Sequence, residues 1–129
     1  MGKLLNYIEI KFCANRKRKE FYSKFVGKND LVFDIGANLG NRTSVLLDIG
    51  ANVVSVEPNP ELANRLRKKY KKANVVEKAI GNSNENIVLY LNESSVLSTT
   101  SKEWIQIARE SKRFGNLTDK FNDQVEVEQ

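Results

Sequence analysis

Short apolar runs alternate along the chain with stripes of apolar residues at helical spacing. The nearly continuous apolar run at 31–35 predicts a central parallel strand that is covered on both faces. A stripe within 39–49 predicts the helix that follows it. The segments 52–57, 61–71 and 74–80 then repeat strand, helix and strand. This order is typical of an α/β fold with a right-handed parallel sheet.

Further elements are predicted on either side of this unit. Alternating apolar residues at 86–91 and at 124–128 predict two strands, and a helical pattern around Trp104 lies between them. Apolar residues at helical spacing in 1–26 predict an N-terminal amphipathic extension that caps the domain. We assign the remaining residues, 27–129, to one α/β domain.

Composition places the chain among ordinary soluble proteins. It has 129 residues, of which 40% are hydrophobic and 29% are charged. No apolar run approaches the roughly 18–20 residues that cross a bilayer, and the N-terminus lacks a signal-peptide pattern, so we expect a cytoplasmic protein without a membrane span. The chain has no histidine and a single cysteine, Cys13, which excludes a zinc site built from these residues, and we expect no metal.

The net charge of +5 comes mainly from two basic clusters, at 16–19 and 65–72. Such clusters can meet the phosphates of nucleic acid. Neither cluster carries the interleaved aromatic side chains expected of proteins that bind single strands. We interpret both as solvated helix faces and keep RNA binding or RNA methylation as an alternative.

Polar or glycine-rich segments follow the predicted strands at 34–40, 57–59 and 79–82. Ligands of open parallel sheets bind beyond the carboxyl ends of the strands, so these segments define a candidate site. Glycine at positions 36 and 40 lets the backbone turn sharply and approach a ligand closely. The carboxylate of Glu57 can accept two hydrogen bonds from a ribose diol.

The first of these segments lacks the glycine fingerprint of a dinucleotide site, because its first, third and sixth positions are Gly36, Asn38 and Asn41. The charge of Asp34 would repel a diphosphate but would suit an ammonium group. S-adenosylmethionine carries both an ammonium group and a ribose, and we predict it as the cofactor. A nicotinamide-dependent oxidoreductase is the disfavoured alternative.

Three motifs follow one another along the chain: Asp-Ile-Gly-Ala-Asn-Leu-Gly at 34–40, Val-Glu-Pro-Asn-Pro at 56–60 and Lys-Ala-Ile-Gly-Asn at 78–82. Together they resemble the FkbM family of S-adenosylmethionine-dependent methyltransferases. The resemblance implies the Rossmann-like class I methyltransferase fold. It also implies O-methylation of a small molecule or a sugar as the activity.

The resemblance further implies which residues bind the cofactor. The methionine part would be lined by the first motif, the ribose hydroxyls held by Glu57 and the adenine side shaped by Pro58, with Ala79 and Ile80 flanking the ring. The implied residues of the first motif are Asp34, Gly36, Ala37, Asn38 and Gly40. At the start of the following helix, Asn41 and Thr43 either touch the cofactor or form only a local hydrogen-bond pair.

Two further points stay open in the sequence. The Ser- and Thr-rich segment 94–100 is either a flexible loop or a loop that contacts the substrate, and no residue stands out as a general base. The family's sheet usually has seven strands, and this chain supplies about five candidates. We therefore expect the N-terminal half of the sheet, with an exposed edge that favours self-association and marginal stability. A non-catalytic remnant that binds the cofactor weakly or not at all is a further alternative.

Overall fold

The computed structural model describes residues 13–129, so residues 1–12 of the predicted extension lie outside the described residues. The described part contains four helices and five strands, with short 3-10 turns at Ser95–Leu97 and Gly115–Asp119. In chain order they are α1 (13–22), β1 (Leu31–Ile35), α2 (Asn41–Ile49), β2 (Asn52–Val56), α3 (Pro60–Lys69), β3 (Asn74–Val76), β4 (Asn86–Asn92), α4 (Lys102–Ser111) and β5 (Phe121–Glu128).

The first three strands form the predicted parallel sheet, in the order β1-β2-β3. Phe33 lies opposite Val54, and Ser55 lies opposite Val75. The α/β fold class is confirmed. Because the strands are parallel and in register, the segments that follow β1 and β2 emerge at the same edge of the sheet.

The last two strands do not extend this sheet. β4 and β5 pair with each other as a separate antiparallel sheet, with Leu89 opposite Val125. Leu89 and Val127 pack with Ala79 in a second apolar core. An alternating pattern suits an antiparallel sheet with one covered face, but the sequence did not reveal which strand each would pair with.

Helices α1 and α2 pack on one face of the parallel sheet. Leu46, Ala51 and Val53 form the buried core there, and Tyr22 and Val26 at the end of the N-terminal extension pack against it. Lys19 of α1 also forms an ion pair with Asp48 of α2. The described part of the extension is therefore attached to the sheet domain.

The opposite face of β1 is open, and here the prediction of a strand covered on both faces was wrong. Leu31, Phe33 and Ile35 alternate onto this face and are 65%, 58% and 49% exposed. Among the described residues β1 pairs only with β2, so it is an edge strand. An apolar composition therefore did not distinguish a central strand from an edge strand.

Several boundaries also differ from the expected ones. Strand β3 ends at Val76 instead of residue 80, because the chain turns toward the second sheet, where Ala79 donates its backbone N–H to Glu128. Strand β5 begins earlier than expected, at Phe121, which pairs with Asn92. Within residues 13–129 no helix has the length and apolar character needed to cross a membrane.

Candidate functional site

An open cavity of about 650 Å³ lies at the carboxyl ends of β1 and β2. Its volume is within the range of about 300–1,000 Å³ that is usual for ligand sites. The wall is built from α1, the turn after β1, the start of α2, the segment from β2 into α3, and the second sheet with its 3-10 turn. The lining residues are Arg18, Tyr22, Gly36, Ala37, Asn38, Leu39, Asn41, Arg42, Glu57, Pro58, Asn59, Leu62, Leu89, Ser95, Val96 and Ser98.

The turn after β1 depends on its two glycines for different reasons. Gly36 has a φ of 68°, and a Cβ there would meet nothing within 4 Å, so its missing side chain leaves free space beside the cavity. Gly40 has a φ of 78°, and a Cβ there would collide with the ring of Tyr70 and lie 2.7 Å from Leu66. Of the two, only Gly36 has the open space beside it that the predicted close approach of a ligand requires.

The carboxylate of Glu57 joins the two segments that follow β1 and β2. Its Oε2 accepts a hydrogen bond of 2.7 Å from the backbone N–H of Asn38, and its Oε1 accepts one of 3.0 Å from that of Asn59. A carboxylate has about four acceptor positions, so each oxygen keeps one for a ligand hydroxyl. Glu57 and the glycine turn therefore meet, as their places after neighbouring strands predict.

The segment after β2 is held in place by the start of α3. The side chain of Asn59 accepts hydrogen bonds from the backbone N–H groups of Glu61 and Leu62, and Pro60 occupies the first turn. Both are favoured features of a helix N-terminus. This cap fixes Pro58 and Asn59 in the cavity wall beside Glu57.

Asp34 lies in a buried polar network behind the turn and does not line the cavity. Its Oδ2 accepts a hydrogen bond of 2.7 Å from the hydroxyl of Thr43, and its Oδ1 accepts one of 2.8 Å from Nε of Arg42. The Thr43 and Ser55 hydroxyl oxygens are 2.9 Å apart. Because the proton of Thr43 goes to Asp34, Ser55 is the donor of this second bond. The Asp34 side chain is only 1% exposed and does not line the cavity, which differs from the expected contact with an ammonium group.

Arg42 is a wall residue that the sequence analysis missed. Besides its bond to Asp34, its Nη2 donates to the backbone carbonyl oxygens of Ile35 and Gly36, at 3.0 Å each. These bonds attach the first turn of α2 to the end of β1. An arginine in the first turn of the helix that follows a strand-end carboxylate was the available signal, since the chain reverses between the two elements and can bring the two charges together.

The Ser95–Leu97 turn brings the second sheet to the cavity. The hydroxyl of Ser95 donates a hydrogen bond of 3.1 Å to Oδ1 of Asn38, and Val96 is 77% exposed in the wall. The hydroxyl of Ser98 accepts the backbone N–H of Asn92 at the end of β4. Of the two possibilities for this segment, a loop that lines the site fits these contacts.

The structure brings together six of the eleven residues for which a cofactor contact was predicted or left open. These are Gly36, Ala37, Asn38, Asn41, Glu57 and Pro58. It does not bring Asp34, Gly40, Thr43, Ala79 or Ile80 to the wall. Ala79 is buried in the second core, and Ile80 is 68% exposed outside the cavity, because the chain leaves the parallel sheet after Val76.

The sequence analysis also missed several residues of the wall. Arg18 belongs to a cluster that we interpreted as a solvated face, yet it lines the cavity from α1 together with Tyr22. Leu89 comes from the second sheet, whose position was not predicted. For these residues the missing information was the packing of distant elements, and no local signal could have found them.

Residues 34–129, more than half of the chain, match the family model described as the methyltransferase FkbM domain. The chain belongs to the FkbM methyltransferase family. The family resemblance carried by the three motifs is thereby confirmed. In this FkbM domain residues 36–39 of the first motif and Glu57 line the cavity described above.

The FkbM domain is also similar to curated methyltransferases over part of its length. It is 44% identical over 54 residues to ribosomal RNA small subunit methyltransferase A of Mycobacterium bovis, covering 42% of this chain and 17% of the relative. It is 42% identical over 53 residues to the same enzyme of Rhodococcus opacus, covering 41% and 18%. The chain thus spans less than a fifth of the length of these curated relatives.

One solved structure is similar to part of the FkbM domain. It is a TehB-like SAM-dependent methyltransferase from Corynebacterium glutamicum, with a TM-score of 0.43 and 17% sequence identity. The similar part covers 50% of this chain and 34% of the other.

Proposed function

We propose that the protein transfers the methyl group of S-adenosylmethionine to a hydroxyl oxygen of a small molecule or a sugar. Membership of the FkbM family supports the reaction class. The observation that carries the proposal is the hydrogen bond between Glu57 and the backbone of Asn38, because it places an acidic group that can bind a diol beside the glycine turn.

The residues of the wall fit this cofactor. Glu57 is only 6% exposed and keeps acceptor positions on both oxygens, which suits the two ribose hydroxyls. The turn at Gly36 offers backbone next to open space, which suits the methionine part. Pro58, beside Glu57 in the wall, would lie toward the adenine.

S-adenosylmethionine supplies an activated methyl group on a sulfonium, so the protein's task is chiefly alignment. Holding the acceptor oxygen in line with the methyl group can account for much of the rate enhancement. Val96 and Leu89 contribute an apolar part of the wall beside Ser95 and Ser98. Such a mixed surface suits a hydroxylated acceptor with an apolar side.

We also infer a cytoplasmic location, as expected from the sequence.

Two measurements test the proposal. Calorimetric titration with S-adenosylhomocysteine is expected to show saturable binding to one site. Transfer of a labelled methyl group to a panel of sugars and hydroxylated small molecules is expected to identify the acceptor. Binding without transfer would support the non-catalytic remnant, and the absence of binding would contradict the proposal.

A second candidate function is methylation of RNA. It is favoured by the similarity to the ribosomal RNA methyltransferases and by Arg18, which places one residue of the basic cluster 16–19 in the cavity wall. This candidate predicts labelled methyl transfer to small-subunit ribosomal RNA and an RNA affinity that falls steeply with salt. The leading proposal predicts neither.

A further inference from the structure

We propose that Arg42 binds the carboxylate of the cofactor's methionine part and that Asp34 is a positioning residue that acts through Arg42. This inference rests on the proposed function, since it specifies how the same cavity holds the cofactor. The sequence analysis expected the negative charge of Asp34 to contact the ligand's ammonium group. In this inference the positive charge of Arg42 contacts the ligand's carboxylate instead.

The guanidinium of Arg42 is held in a fixed orientation. Nε donates to Asp34, and Nη2 donates to the carbonyl oxygens of Ile35 and Gly36. These bonds use three of the five N–H donors of an arginine side chain. In the hydrogen bonds found within residues 13–129, Nη1 has no partner, and Arg42 lines the cavity with a side chain that is 48% exposed.

The support for this orientation is buried. The side chain of Asp34 is 1% exposed, and its second oxygen is held by Thr43, which is itself fully buried. An arginine fixed in this way loses little side-chain freedom when a ligand binds. The planar guanidinium of an arginine also matches the geometry of a carboxylate better than the ammonium group of a lysine side chain would.

The two ends of the site match the two ends of the ligand. Arg42 is bonded to the carbonyl oxygen of Gly36 at the start of the turn, and Glu57 is bonded to the N–H of Asn38 further along it. The turn therefore lies between a cation and a diol-binding carboxylate. A nucleoside that carries an amino acid on its 5′ side likewise has a diol and a carboxylate, separated by its 5′ side chain.

The test compares ligands that share the adenosine part. S-adenosylhomocysteine has the carboxylate and the ammonium group, its decarboxylated analogue keeps only the ammonium group, and 5′-methylthioadenosine has neither. For the Arg42→Gln variant, calorimetry is expected to show about tenfold or more loss of affinity for S-adenosylhomocysteine. The affinities for the other two ligands are expected to change by less than about twofold, because neither reaches Arg42 with a carboxylate.

Comparing ligands on one variant removes the effect of folding. Partial unfolding of Arg42→Gln would lower the apparent affinity for all three ligands by the same factor, so their ratios report the contact itself. Arg65→Gln serves as the matched control, because Arg65 lies on the exposed side of α3 in an ion pair with Glu61. Its ratios are expected to equal those of the wild type.

The outcomes separate the inference from the function on which it rests. Equal losses for all three ligands, or no loss for any, would overturn the role of Arg42 and leave cofactor binding intact. A wild-type protein that binds none of the three would overturn the proposed function and this inference with it.

Discussion

The hydroxyl of Ser95 donates a hydrogen bond to the side-chain oxygen of Asn38, two residues that are 57 positions apart in the chain. The backbone N–H of the same asparagine donates to Glu57. Asn38, with a φ of 51°, therefore connects the Ser95–Leu97 turn of the second sheet to the carboxylate at the end of β2. The candidate site is built where the two sheets meet.

Removing the Ser95 hydroxyl tests this connection. Ser95→Ala is expected to weaken S-adenosylhomocysteine binding by about fivefold, since one hydrogen bond contributes about 1 kcal/mol. The thermal midpoint should fall by no more than about 5 °C, the shift that corresponds to about 1 kcal/mol in a domain of this size. Ser83→Ala removes an exposed hydroxyl that is bonded to Gln129 and is the matched control. Equal affinities for the two variants would show that the connection does not shape the site.

Replacing Glu57 tests the diol-binding group. In Glu57→Gln the amide NH₂ group must face one of the two backbone N–H groups that the carboxylate now accepts, and one charged acceptor is lost. We expect about a tenfold loss of affinity for S-adenosylhomocysteine in calorimetry. Glu61→Gln removes an exposed carboxylate that pairs with Arg65 and should have little effect. An unchanged affinity in Glu57→Gln would remove this residue from the site.

The two glycines of the turn should respond differently to alanine. Gly36→Ala meets no neighbour and should lower the free energy of unfolding by about 1–2 kcal/mol, the cost of a positive φ. Gly40→Ala must also displace Tyr70 and Leu66, which should cost about 1–3 kcal/mol more. Denaturant titration measures both. Equal costs would contradict the packing of α3 against Gly40.

The buried hydroxyl of Thr43 is expected to stabilise the fold. Thr43→Val keeps the shape of the side chain but leaves Oδ2 of Asp34 and the hydroxyl of Ser55 without their hydrogen bonds to Thr43. The free energy of unfolding should fall by about 1–3 kcal/mol. Ser44→Ala, which removes an exposed bond to the carbonyl oxygen of Asn41, should change it by less than about 0.5 kcal/mol. An unchanged free energy of unfolding in Thr43→Val would show that the network contributes nothing to stability.

Self-association through β1 stays a prediction that the open face makes testable. An edge strand with exposed apolar side chains favours pairing with another chain. Sedimentation velocity should therefore show concentration-dependent association that Phe33→Glu reduces. Ile107→Glu introduces the same charge at an exposed position of α4 and should not. Equal behaviour of the two variants would place any association elsewhere.

The order of elements and the meeting of Glu57 with the glycine turn were predictable because they follow from local patterns. Apolar runs place the strands, and parallel strands bring their carboxyl ends to one edge. The burial of Asp34 behind Arg42 and Thr43 was not predicted, although both residues stand in the first turn of α2, because it depends on how α2 packs against β1.

The pairing of β4 with β5 was also not predictable from the sequence. Whether β4 joins β5 or the parallel sheet is decided by packing around Ala79, Leu89 and Val127, which are far apart in the chain. Because β4 pairs with β5, Ala79 and Ile80 lie outside the cavity wall, whereas Ser95 and Val96 line it.

A crystal structure of the protein with S-adenosylhomocysteine tests the central claim most directly. We expect both ribose hydroxyls to lie about 2.7 Å from the carboxylate oxygens of Glu57, with the thioether chain running along the turn at Gly36. A ligand bound elsewhere, or one whose ribose faces away from Glu57, would contradict the assignment of this cavity.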